Sequence, residues 1–204
     1  MAKQDTQKDI IKNAKKVVCI EKKEIASLER RFNEKKFAES FVSAVESIYK
    51  CKGKVVITGV GKSGIIAQKI VATFNSTGTY SIFLHSADSV HGDLGILRDE
   101  DIVIAISKSG DSSDVTQIIP LRKTLKVKII AIIGNTSSEI AKLSDIVLDA
   151  SVKEEACPHN LAPTSSSTTA LVLGDALAIA LLQKRDFSNI FLIMNICRHL
   201  IRFM

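Results

Sequence analysis

The sequence predicts an α/β fold, a three-layer α/β/α sandwich around a five-stranded parallel sheet, preceded by two N-terminal helices. Five short runs of β-branched and other apolar residues alternate with segments that have helical periodicity. Each run is apolar on both faces, which is typical of parallel strands that helices cover on both sides. Small polar turns follow several of the runs, and ligands of such sheets bind at the carboxyl ends of the strands.

Composition sets the limits for function. The chain has 204 residues, which suggests one domain, and it is 46% hydrophobic with a net charge of +6. The excess positive charge lies in residues 1–54, which contain 14 Lys and Arg residues but only 8 Asp and Glu residues. A nucleic-acid or anionic-surface patch is one interpretation, but interleaved acidic residues and the lack of stacking aromatics favour a solvated helix face, so we expect no nucleic-acid partner.

Cysteine spacing and hydropathy indicate the compartment. The four cysteines are far apart and form no CxxC pair, which argues for a reducing compartment and against a disulfide framework or a zinc site. The first dozen residues are polar and basic, unlike a signal peptide, and no run of about 18 uncharged apolar residues occurs. The expectation is a cytoplasmic chain without a membrane span and without a bound metal.

Three segments follow from the pattern. Residues 1–53 are predicted to form a helical arm, with helices over 6–33 and 37–48, the second ended by Gly53; they would cover the sheet or a partner subunit. Residues 54–187 are predicted to form the ligand-binding domain around the sheet, and residues 188–204 an atypical apolar tail. The tail is open to three interpretations: an interface helix, a membrane-surface helix, or a C-terminus whose reading frame differs from that of its relatives.

The elements of the central segment can be placed in order. The strands are predicted at 55–57, 81–85, 101–106, 128–133 and 145–148. Helices are predicted from Ser63, which would cap the first, over about 114–124, near 137–143 and over 165–184. The last helix is apolar all round apart from Gly174 and Asp175, which predicts burial on every side and an oligomer interface.

The turn after the first strand, residues 59–64 (GVGKSG), organises the chain. Glycines let the backbone approach a ligand, and a helix N-terminus with Lys62 beside it suits an anion such as phosphate. Dinucleotide binding is disfavoured because the end of strand two carries Leu84 and His85, where an acidic residue is needed. An ATP-binding P-loop is disfavoured because Val56 stands where its first glycine belongs.

A second turn, residues 107–113 (SKSGDSS), supports the same interpretation. It offers hydroxyl groups beside another helix N-terminus, at the same edge of the sheet. Cradles of hydroxyl and amide groups suit a phosphate monoester, whereas the alternative is a pair of ordinary turns rich in capping residues. Two such loops exceed what capping needs, which favours phosphate binding.

A family resemblance follows from several motifs together. Residues 58–64, 76–79 (STGT), 91–95 (HGDLG), 107–110 (SKSG) and 155–158 (EACP), with LAPTS at 161–165 and GDALA at 174–178, resemble the sugar isomerase (SIS) domain of D-arabinose 5-phosphate isomerases. The resemblance runs from about residue 8 to Phe187. It implies interconversion of D-ribulose 5-phosphate and D-arabinose 5-phosphate, leading to the sugar acid Kdo of lipopolysaccharide and some capsules. It also implies homotetramers with sites between subunits and no cofactor.

Aldose–ketose isomerisation needs a base for a C–H proton, an acid/base for the oxygens and stabilisation of an enediolate. Glu155 is the candidate base. His91 would move a proton or polarise the carbonyl, or it only orients its loop; Lys62 would hold the phosphate or the enediolate, and Asp111 is a further candidate catalytic carboxylate. The candidate substrate-binding residues are Gly61, Ser63, Ser76, Thr77, His85, Ser107, Lys108, Ser109, Ser112 and Thr168.

The sequence departs from the family pattern in three places. Asp111 stands where family members usually carry Glu, so the carboxylate has a shorter reach. The chain resembles forms without the tandem CBS domains of many relatives. After Phe187 it lacks the family's His-Pro-Gly-Gly motif, whose histidine enters the site. A non-catalytic sugar-phosphate sensor is therefore the alternative function, and feedback by CMP-Kdo at the same anion site is a further hypothesis.

Overall fold

A computed structural model describes residues 6–86, 92–116, 125 and 127–185. Each predicted strand is present. The strands are β1 Val55–Gly59, β2 Ser81–His85, β3 Ile102–Ser107, β4 Lys128–Ile133 and β5 Ile146–Asp149. The helices are α1 Gln7–Arg31, α2 Lys35–Tyr49, α3 Lys62–Ser76, α4 Ser113–Thr116, α5 Glu139–Leu143 and α6 Ser165–Lys184, with a 3₁₀ turn at Asp93–Ile96.

All strand pairs are parallel, in the order β2-β1-β3-β4-β5. The order reverses between β1 and β3, because β2 lies on one side of β1 and the chain then crosses back to add β3. Gly59, the last residue of β1, is level with His85 of β2 and Ile106 of β3. The turns after β1 and β3 therefore meet at the topological switch point, where open parallel sheets bind ligands.

Alternating residues of the strands supply two separate apolar cores. Val55, Ile57 and Ile104 pack on one face together with apolar residues of α2, α3 and α6. Val56 and Val103 pack on the opposite face with residues of α4 and α5. Helices on both faces explain why the strands read as continuous apolar runs, and they confirm the predicted three-layer α/β/α sandwich.

The two N-terminal helices pack unequally. Helix α2 contacts β5 and α6, and the second half of α1 contacts α6. Arg31, the last residue of α1, donates hydrogen bonds to the carbonyl oxygens of Asp149 (2.9 Å) and Ser151 (2.5 Å), so α1 is tied to the chain just after β5. Every residue from 6 to 19 is exposed, including Ile10, Ile11 and Val18, so this half of α1 leaves an apolar stripe uncovered.

Helix α6 contains an 18-residue window that is long and apolar enough to cross a membrane by length and composition alone. Half of that window is buried, as in a core helix, by packing against α1, α2 and α3. Ile179 of α6 is 44% exposed in the single chain, so burial of α6 on every side would need an oligomer interface, which stays a prediction.

Several element boundaries differ from the sequence prediction. Helix α2 ends at Tyr49, before Gly53, because the chain turns there to enter β1. Strands β3 and β5 each begin and end one residue later than predicted. Helix α3 begins at Lys62 with Gly61 as its N-cap, so Ser63 lies inside the first turn and is not the capping residue.

Candidate functional site

The turn from β1 to α3 brings backbone amides to the switch point. Gly61 has φ +57°, a conformation that a residue with a Cβ adopts only with strain. Gly59 lies so close to α3 that a Cβ there would be 2.9 Å from the Ser63 carbonyl carbon and 3.0 Å from the Ile106 carbonyl oxygen. The first turn of α3 therefore sits directly against the sheet, and its residues Lys62 and Ser63 line the cavity described next.

A small cavity lies between the N-termini of α3 and α6 at this edge of the sheet. It encloses about 30 Å³, room for about one water molecule, so a sugar phosphate bound here would extend out of it. Helix α3, of 15 residues, and helix α6, of 20 residues, both point the positive end of their dipole toward the cavity, and two lysines add full charges. Its polar lining is Lys62, Ser63, Ser107, Lys108, Ser166 and Ser167.

Glu155 is buried beside this cavity, and its carboxylate is fully engaged. Oε1 accepts a hydrogen bond from the Ser166 hydroxyl (2.5 Å) and pairs with Nζ of Lys108 (2.7 Å). Oε2 accepts the backbone N–H of Thr164 (2.8 Å), the Thr164 hydroxyl (3.1 Å) and the backbone N–H of Ser166 (3.2 Å). Glu155 thus joins the N-terminus of α6 to the turn that follows β3.

These contacts decide the ionisation of Glu155. Burial raises the pKa of the Glu155 carboxyl, but the hydrogen bonds from Lys108, Ser166 and the amides of Thr164 and Ser166 outweigh burial and lower the pKa to about 2. The carboxylate is therefore charged at neutral pH, and in this arrangement its basicity is low.

The lowered pKa predicts an acid-sensitive fold. Because the folded-state value lies below the ordinary value of 4.5, the stabilisation from Glu155 is complete above about pH 4.5 and is lost as the pH falls toward 2. We expect Glu155 to contribute on the order of 3 kcal/mol at pH 7. Urea unfolding of the wild type and of Glu155→Gln should show a stability difference at pH 7 that shrinks at pH 3. A difference that is the same at both pH values would contradict the linkage.

The turn after β3 is held by its own side chains. Ser107 accepts the N–H of Gly110 (3.0 Å) and lies 3.2 Å from the Ser112 hydroxyl, and Ser109 accepts the N–H of Asp111 (3.4 Å). Asp111 accepts the N–H of Glu139 (3.1 Å) and so binds the first residue of α5. The hydroxyls and Asp111 therefore maintain the loop, and their roles toward substrate stay predictions.

Not all predicted site residues meet in one chain. Ser76 and Thr77 lie at the far end of α3, about 21 Å from its N-terminus, and the Thr77 hydroxyl bonds to the Thr73 carbonyl there. The Thr168 hydroxyl donates to Glu21 of α1 (2.9 Å), away from the cavity. His85 ends β2 beside Gly59 and is exposed. His91 lies outside the described residues.

Ser166 and Ser167 line the cavity, but sequence reasoning did not select them. The available signal was the hydroxyl run at 165–169, which opens an apolar helix. Thr168 was selected from this run, but it is one or two residues away, and each residue turns the side chain by about 100° around the helix. The contact between Lys108 and Glu155 was also missed, since only the tertiary fold joins these residues.

Comparison with known proteins decides the family. A family model described as the SIS domain matches residues 47–180, well over half of the chain. The chain belongs to the SIS-domain family. The match covers the whole sheet and most of α6, so both helix N-termini at the cavity are part of the SIS domain. It confirms the family that the sequence motifs indicated.

Within the SIS-domain family, several relatives are close. Arabinose 5-phosphate isomerase KdsD of Shigella flexneri is 48% identical over 180 residues, 88% of this chain and 53% of the relative. The protein of the same description from Pseudomonas aeruginosa is 46% identical, over 88% of this chain and 54% of that protein. The chain thus spans about half the length of these two relatives. The solved structure of Escherichia coli CFT073 c3406 in complex with arabinose 5-phosphate superposes with a TM-score of 0.85, at 37% identity, covering 92% of this chain and 97% of that one.

Proposed function

We propose that the chain is an aldose–ketose isomerase that interconverts D-ribulose 5-phosphate and D-arabinose 5-phosphate. The observation that carries the proposal is the buried Glu155 carboxylate, which is paired with Lys108 beside an anion cavity between two helix N-termini. A phosphate-binding cavity next to a carboxylate is the combination that this isomerisation requires.

The residues can be assigned to steps of the reaction. Lys62 and the N-terminus of α3 bind the phosphate. Glu155 removes the proton from C2 of the aldose; the C–H electron pair forms the C1–C2 double bond, and the carbonyl pair moves to O1, which takes up a proton. The enediol then loses the O2 proton, the carbonyl forms at C2, and Glu155 returns its proton to C1. His91 is proposed to carry the proton between the oxygens, and Asp111 to assist it.

The comparisons support this substrate. Two relatives that align with 88% of this chain are named arabinose 5-phosphate isomerase, and a 37% identical structure contains arabinose 5-phosphate. We extend the proposal to a place in Kdo formation for lipopolysaccharide or capsule, in the cytoplasm. A homotetramer fits the uncovered apolar side chains of Ile10, Ile11 and Val18 on α1 and of Ile65 and Ile179 on the body.

Turnover tests the function directly. Purified protein incubated with D-ribulose 5-phosphate, without added metal or nucleotide, should form D-arabinose 5-phosphate, followed by NMR of the anomeric signals. Intact-mass measurement on the same sample would establish its C-terminus. If D-ribulose 5-phosphate binds but stays unchanged over days, the isomerase proposal fails.

The second candidate is a non-catalytic sugar-phosphate sensor. Two observations favour the sensor. Both oxygens of the Glu155 carboxylate already accept hydrogen bonds and its pKa is low, so it is a weak base, and the sequence lacks the His-Pro-Gly-Gly motif. Binding of arabinose 5-phosphate by calorimetry, with no isomerisation, would support the sensor. CMP-Kdo is a further candidate ligand of the anion cavity; a calorimetric titration without heat would remove it.

Lys62 should matter for phosphate affinity. Lys62→Met removes the charge at the N-terminus of α3 while keeping an apolar stem, so we expect kcat/KM for arabinose 5-phosphate to fall about 10- to 100-fold. Lys142→Met is the matched control, since Lys142 is exposed on α5, away from the cavity. Equal losses in the two variants would exclude a specific role for Lys62.

A further inference from the structure

The two members of the ion pair between Lys108 and Glu155 differ in how far their side chains are exposed to solvent. The side chain of Glu155 is 1% exposed, whereas that of Lys108 is 42% exposed. Glu155 would keep four hydrogen bonds from Thr164 and Ser166 without Lys108. The carboxylate is therefore fixed, and the ammonium group is the member that can move.

Lys108 also belongs to the wall of the anion cavity. It lines that cavity together with Lys62 and Ser63, whereas Glu155 lies behind the wall. In the absence of a ligand, the nearest anion for the Lys108 ammonium is Oε1 of Glu155, at 2.7 Å. A phosphate dianion in the cavity would offer twice the charge at a comparable distance.

The geometry points to Lys108 as a positioning residue that makes turnover depend on the substrate's phosphate. In the resting pocket Oε1 of Glu155 accepts both the Lys108 ammonium and the Ser166 hydroxyl; when a phosphate dianion binds, the ammonium moves to the phosphate, and Oε1, left with Ser166 alone, becomes able to accept the C2 proton. This inference rests on the proposed function and deepens it, because it names what couples phosphate binding to the base.

The other charged groups around Glu155 do not replace Lys108. The N-terminus of α6 already donates to Oε2 through the amides of Thr164 and Ser166. On the far side, a cleft of about 440 Å³ between α1 and the loop that carries Glu155 is lined by Glu155 itself together with Lys16, Glu154 and Cys157. With Lys108 gone, burial is the main influence left to raise the pKa of Glu155, and the α6 contacts still lower it.

The proton affinity of Glu155 provides the first test. Protein with ¹³C-labelled glutamate carboxyls would be titrated from pH 7 to pH 3 with and without sulfate, a dianion at every pH in that range; the Glu155 signal is the one absent from Glu155→Gln. Without sulfate it should not titrate in this range, and with saturating sulfate its midpoint should rise into this range. In Lys108→Gln the raised midpoint should be present without sulfate, whereas Lys142→Gln should behave as the wild type. A Glu155 signal that sulfate does not shift would overturn the inference, and the wild-type comparison suffices if Lys108→Gln does not fold.

The second test separates this inference from the proposed function. Exchange of the C2 hydrogen of D-arabinose, which has no phosphate, would be followed by NMR in D₂O with and without phosphite dianion. Phosphite should accelerate exchange by wild type and Lys142→Gln on the order of tenfold, and should leave Lys108→Gln unchanged. Equal phosphite activation of Lys108→Gln would refute the role of Lys108 even in a working isomerase. A wild type inactive on arabinose 5-phosphate would refute the proposed function, and the sulfate titration would still decide whether Lys108 leaves Glu155.

Discussion

Replacing Glu155 with glutamine should lower the turnover of arabinose 5-phosphate by about 10²–10⁴-fold while sugar phosphate still binds. The amide cannot accept the C2 proton, but Lys62 and the N-terminus of α3, which we propose to hold the phosphate, are unchanged. The substitution also places an NH₂ group where the hydroxyls and amides of Thr164 and Ser166 donate. We therefore expect some loss of stability as well.

The measurement separates these two effects. Turnover by NMR and binding by calorimetry would be compared with thermal unfolding of the same samples, at a temperature where each variant is folded. Glu154→Gln is the matched control, since Glu154 is the exposed neighbour and should retain wild-type turnover. Near-normal turnover of a folded Glu155→Gln protein would rule out Glu155 as the base.

Gly59→Ala should weaken both the fold and the anion site. The added Cβ would meet backbone atoms of Ser63 and Ile106, which cannot rotate away, so α3 has to separate from β1. Overpacking of this kind destabilises by about 1–3 kcal/mol. Moving the first turn of α3 also displaces Lys62 and Ser63 from the cavity wall, and we expect sulfate affinity to fall about tenfold or more.

Urea unfolding and sulfate calorimetry would measure the two losses. Gly95→Ala is the control, because a Cβ at Gly95 would have no neighbouring atom within 4 Å in the part of the chain that the structure describes. Wild-type stability for Gly59→Ala would show that α3 can shift at no cost, and the close approach would then have no importance for the fold.

The fold could be predicted from the sequence because its signals are local. The first and last residues of β2, β4 and α6 were predicted correctly, because a β-branched run or an apolar helix can be recognised from the residues of that element alone. The residue expected to end α2, Gly53, lies beyond the observed C-cap Lys50, so the helix ends before the glycine chosen as its stop signal.

The site was predicted less completely because side-chain direction and long-range pairing are tertiary properties. Lys62, Ser63 and Glu155 follow from motif and turn chemistry. Lys108 was expected at the phosphate, yet its observed partner is 47 residues away in sequence. Ser76 and Thr77 show the limit of motifs, since membership of a motif does not say which end of a helix a residue occupies.

The strand order also has a consequence for how the chain folds. Neighbouring strands are joined by crossovers and never by a hairpin: Val55 pairs with both Ser81 and Ile102, and Ile102 pairs with Lys128. Each ladder therefore forms only after a long loop has closed, which loses conformational entropy before any strand hydrogen bond is gained. The interior strand β1 leaves the ribosome before either of its neighbours, and its apolar surface has no ladder partner until they follow. Sheet closure, and not helix formation, should set the refolding rate, and the partly folded chain should be most prone to aggregate in that interval.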